Sequence, residues 1–133
     1  MRDRESLRSA IVVTMDNSLV PSDAELLALG GWDARRARVL VAAFNRNDGI
    51  AVVDTNDDGV SVEFEEFGRD AEGRLHPGDS TGSGELVLRY DDSGLYRAAG
   101  RVAGPGPSVI RVEAQDLNVT AVEGGWWAWV RRA

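Results

Sequence analysis

The chain has 133 residues, 43% of them hydrophobic, no cysteine, and a formal net charge of −7. That length and apolar content support one folded domain with a core, and the missing cysteines exclude disulfides, thiolate zinc sites and thiol nucleophiles. No apolar run is long enough to span a bilayer; the opening MRDRESLRSAIVVTMDNS mixes acids with its arginines, and its apolar stretch, Ala10 to Val13, is too short for a signal core. A soluble, cytoplasmic protein is expected.

In chain order, Leu7, Ala10 and Ile11 fall at helical spacing and predict a helix over Glu5 to Met15, with a strand over 10–15 as the alternative suggested by the β-branched IVVT. VPSDAELLALGG predicts a second helix: Ser22 and Glu25 form a capping box, and Gly30 and Gly31 stop it. WDARRARVLVAAFNRNDG predicts a third. Asp33 caps it, Ala37, Leu40, Val41 and Phe44 line one face, four alanines favour helix, and Gly49 ends it.

From Ile50 the pattern changes to short alternating runs split by turn signals. IAVVD, VSVEFEEF, ELVLRY, LYRAAGRV, SVIRVEA, LNVTAVE and WWAWVRR read as strands. The glycine- and serine-rich span from Gly68 to Gly84 reads as a flexible loop. The expected class is therefore α+β. A short helical N-terminal half with a β-hairpin (1–67) and a loop (68–84) lead to an antiparallel β-sandwich or open barrel (85–133), all of it able to form one compact domain.

Charge is uneven. Residues 1–50 balance seven acids against seven arginines, whereas residues 51–133 hold fifteen acids against eight. The second half repels phosphate backbones and favours basic partners.

Two local stretches resemble known families. DTNDDGVSVEFE resembles an EF-hand calcium loop: Asp54, Asn56 and Asp58 fall at its first, third and fifth positions, Gly59 at the sixth, Val60 at the seventh and Glu65 at the twelfth. The same letters also make an Asp-Gly turn between two strands, and a plain acidic hairpin with its carboxylates in water is the preferred reading. LVPSDAELLALGGWDARRARVLVAAFNRNDGIAVVD resembles the winged helix-turn-helix of bacterial repressors. That resemblance implies Arg35, Arg36 and Arg38 at the start of a recognition helix, facing a DNA groove. Its wing would carry Asp54, Asp57, Asp58 and Glu63, which removes the counterion-release term that drives binding to nucleic acid.

EGGWWAWVRRA ends the chain. On a strand, Trp127 and Trp129 share one face and are expected in the core, leaving Trp126 on the other face for contact. His76, the only histidine, shares its loop with Asp79, Ser80 and Ser83. Three residues of one flexible loop do not hold a base against its orienter, and no nucleophile, metal or cofactor constellation appears. The expected function is a non-catalytic interaction module that meets a basic protein, as an inhibitor or immunity-type protein would. Asp57, Asp58, Glu63, Glu65 and Trp126 would form its contact surface. Cofactors are not expected. Oligomeric state and partner identity stay open.

Overall fold

The computed structural model describes residues 20–82 and 86–132. Among these residues one α-helix, α1 (Asp23–Gly30), precedes nine strands: β1 (Arg38–Phe44), β2 (Asp48–Asp54), β3 (Val62–Arg69), β4 (Leu75–Gly82), β5 (Leu86–Asp91), β6 (Gly94–Arg101), β7 (Gly106–Val112), β8 (Gln115–Ala121) and β9 (Trp126–Val130). The helix or strand expected near Met15 lies outside the described residues.

The capping box works at its first member. Ser22 Oγ accepts from the Glu25 amide at 3.1 Å, and Gly31, at φ 79°, closes the helix in the left-handed region that glycine tolerates best.

All strand pairings are antiparallel. Strands β1-β2-β3-β4 form sheet A, β5-β6-β9 form sheet B, and β7-β8 form a separate hairpin. Three apolar layers stack between them. The first lies between α1 and sheet A, with Leu26, Leu27, Phe44, Ala51, Val53 and Phe67. The second lies between the opposite face of sheet A and sheet B, with Ile50, Val52, Phe64, Val87, Ala99 and Trp126. The third lies between sheet B and the β7–β8 hairpin, with Leu95, Leu117, Val119 and Trp127. Strand β9 also lies against β1, so sheets A and B meet along that edge. Burying a side chain such as Phe64 or Phe67, both 1% exposed, stabilises the fold by about 2–3 kcal/mol.

The α+β expectation is overturned: the described residues are mostly β, with a single short α-helix and no winged-helix pattern among them. The segment expected as a third helix is an Asp33-capped turn followed by β1. Its apolar residues serve both faces of sheet A: Val39, Ala42 and Phe44 join the first layer, while Leu40 and Val41 join the second. A register shift between Val39 and Val41 places two successive apolar residues on one side, which imitates helical spacing. Gly49 does not end a helix. It sits opposite Phe44 in the β1–β2 register, where any Cβ would overlap the Phe44 ring. Residues 75–82 of the expected flexible loop form β4, an edge strand, the position in a sheet where Pro77 is tolerated.

Candidate functional site

The β2–β3 hairpin presents an organised exposed acidic group. Its tip, residues 55–61, is built by two aspartates with opposite surroundings. Asp54 is fully buried at the end of β2, and its carboxylate collects the tip's amides: Oδ1 accepts from Asn56 and Asp58 at 3.3 and 3.2 Å, and Oδ2 accepts from Gly59 at 2.7 Å. Asp58 stands in solvent and organises the return. Its Oδ1 accepts from the Val60 and Ser61 amides at 2.9 and 2.8 Å, and Oδ2 accepts from Ser61 Oγ at 2.9 Å. Those donors favour the ionised form, the Ser61 amide most, and hold the Asp58 carboxyl down at about 2.

Asp57 and Gly59 take positive φ, 50° and 73°, so the chain reverses sharply. Asp57 pairs with Arg38 at the start of β1, 3.0 Å away. Between the acids stands Val60, 81% exposed, an apolar side chain placed in water by a fixed backbone.

The calcium-loop ligand set does not converge. Asp54 shares the sheet A face of Ile50 and Val52, toward sheet B, whereas Glu65 shares the face of Phe67, toward α1. The two end ligands of the pattern point to opposite sides of one sheet, and the Asp54 oxygens are already committed to backbone amides. Asn56 and Val60 act as members of the turn.

Glu63 is half-buried on β3, and Glu65, expected in water, is 3% exposed. Both contact Ser80 Oγ of β4, with Glu63 Oε1 at 2.8 Å and Glu65 Oε2 closer still. Burial raises the Glu65 pKa against the lowering effect of Ser80 and of the Trp32 indole; the Glu63 charge raises it further. Trp32 Nε1 is buried and close enough to influence this carboxyl without meeting the geometry of a formed hydrogen bond.

The neighbouring Glu66 is fully buried on the opposite face, between sheets A and B. It receives Arg89 of β5 at 2.7 Å and Arg97 of β6 at 2.7 Å. Arg97 also reaches the Phe67 carbonyl at 2.8 Å and Asp48 at 3.2 Å. Burial raises the Asp48 pKa, against the lowering effect of Arg97 and Arg131. This cluster staples the two sheets together.

Trp126 is not a solvent-facing platform. It is 6% exposed, edge-on to Phe64, with the Arg101 guanidinium 4.8 Å from its ring centre. Trp127 is fully buried and Trp129 packs on the same layer, as their shared face implies. Arg35 and Arg36 belong to the turn before β1, and Arg38 opens that strand, so no recognition helix carries them. They line a shallow groove of about 400 Å³ beside Asp23 and Leu27 of α1, into which Asp57 also projects. His76 pairs through Nε2 with Asp70 at 3.0 Å, while Ser80 turns to the glutamates. Ser83 lies outside the described residues.

Sequence reasoning missed Glu66, Arg89, Arg97 and Asp48, and it grouped Ser80 with His76 rather than with the glutamates it contacts. One signal was present: Arg89 and Arg97 occupy strand positions whose alternation partners, Val87 and Ala99, are apolar, so inward arginines required a buried acid. No helix among the described residues is long and apolar enough to cross a membrane. Comparison with protein-family models, curated proteins and solved structures gave no match.

Proposed function

We propose that the chain is a non-catalytic interaction module of the cytoplasm that docks the tip of its β2–β3 hairpin on a basic protein surface. The observation that carries this reading is the tip itself, where Asp57, Asp58 and the 81% exposed Val60 are held in one conformation by the buried Asp54 carboxylate. A preorganised loop loses less entropy on binding, so its few contacts convert more fully into affinity. Asp58 supplies a charge that persists into strong acid. The net charge of −7 supplies the field that steers a cationic partner toward it. An inhibitor of a basic enzyme is one form such a module takes.

The contact set differs from the one expected at first. Glu65 and Trp126 serve the interior, and Val60 takes the apolar role. Glu63 remains at the margin, on the strand that leaves the tip. Affinity capture from the cells that make the protein tests this reading. The wild-type chain retains a basic partner at physiological salt, and Asp57→Lys with Asp58→Lys abolishes its retention while the fold persists by circular dichroism. Equal retention by both proteins would remove the hairpin from the interface.

A further inference from the structure

Ser80 Oγ lies within hydrogen-bonding distance of two carboxyl groups, Glu63 Oε1 and Glu65 Oε2. A serine hydroxyl has one hydrogen to donate and otherwise only lone pairs. With both glutamates ionised, one contact would set a carboxylate oxygen against a hydroxyl lone pair at close range, and one further proton removes that repulsion. Burial decides which carboxyl carries it. Glu65 is 3% exposed beneath the segment that follows α1, whereas Glu63 is half-buried at the margin of the same face. Gly30 lies against both the Trp32 indole and Glu65 Oε1, the two groups that a Cβ at that position would meet.

We propose that protonated Glu65 donates to Ser80 Oγ while Ser80 donates to Glu63, making a one-proton latch that fastens β3 to β4 beneath Trp32. The groups facing Glu65 are Glu63 from its own strand, Ser80 from β4 and the Trp32 indole from the segment after α1, and none of these is a cation. Its β2 neighbour is the uncharged Ala51, and the α1 acids Asp23 and Glu25 are exposed. Among the described residues an ionised Glu65 therefore has no buried counter-charge.

The sign follows from burial as the leading cause, which raises the Glu65 pKa in the folded chain. The latch contributes its full stability below the unfolded glutamate pKa and loses it as pH rises through the folded value. The latch thus opens on the alkaline side, at the α1 end of the molecule, and is independent of whether the hairpin tip docks a partner.

Carbon-13 titration of the glutamate carboxyls in the wild-type chain tests the assignment. The Glu65 carboxyl resonance is expected to titrate above the ordinary glutamate range. The melting temperature is expected to fall by about 5 °C as pH rises from the unfolded glutamate pKa through the Glu65 titration. Glu65→Gln, whose amide can donate to Ser80 without titrating, is expected to remove that slope. A Glu65 resonance that titrates in the ordinary glutamate range would overturn the latch, as would an unchanged slope in Glu65→Gln. If the glutamine variant does not fold, the wild-type titration alone decides.

Discussion

Glu66 and Arg97 meet at 2.7 Å between sheets A and B, the glutamate fully buried and the arginine side chain 12% exposed. Arg89 closes on the same carboxylate from β5. The pair lies where alternation puts inward residues on both sheets, so it occupies core volume that apolar side chains would otherwise fill. Breaking a buried pair leaves an unmatched charge and costs about 3–5 kcal/mol, whereas replacing it whole is often close to neutral.

Glu66→Gln is accordingly expected to lower unfolding stability by about 3 kcal/mol in urea. Glu66→Leu combined with Arg97→Met should recover most of that loss, because the Arg89 side chain, 35% exposed, can turn to solvent. Equal losses in the single and double variants would show that the cluster is not acting as an inter-sheet pair.

Gly49 and Phe44 form a second coupled pair. A methyl group at Gly49 overlaps the Phe44 ring, so Gly49→Ala is expected to cost about 1–3 kcal/mol. In Phe44→Leu the same change should cost clearly less, since the smaller side chain vacates the space. Thermal melts of the four proteins measure this interaction directly.

The hairpin tip has its own pH signature. The Asp58 pKa is lowered to about 2 by the amides and hydroxyl it accepts from. A carboxylate with a depressed folded pKa stabilises the native state above its unfolded value of about 4, and that contribution disappears as pH falls through about 2. The Asp58 carboxyl resonance should titrate near 2. Ser61→Ala should move it upward by removing one donor, although the two amide donors remain.

Ser22→Ala tests the N-terminus of α1. It removes the acceptor of the Glu25 amide and is expected to cost about 1 kcal/mol. Ser22→Asn should retain most of the stability.

Seven of the nine strands were visible in the alternation and turn signals after Ile50, and so was α1, because its cap and stop residues act locally. Strand β1 was not visible, because a strand buried on both faces with a register shift has no strict period of two, and VLVAAF satisfies helical spacing equally well. Strand β4 was hidden by HPGDSTG, whose glycine, proline and serine signal a turn but are tolerated where one side of the ladder is unpaired. The acidic tip was located correctly as a stretch of sequence, but its division of labour was not. Asp54 and Glu65 are as acidic in sequence as Asp58, and only the stacking of layers on both faces of sheet A withdraws them from water. Trp126 was misplaced for the same reason: alternation put it on the face opposite Trp127, and that face is also covered.

Amide chemical-shift mapping of the labelled chain against its captured partner tests the docking account most directly. Perturbations are expected to centre on residues 55–63 and to be suppressed by salt and by Val60→Ser. Perturbations confined to the exposed face of the β7–β8 hairpin, around Val109 and Asn118, with the tip unmoved, would contradict it.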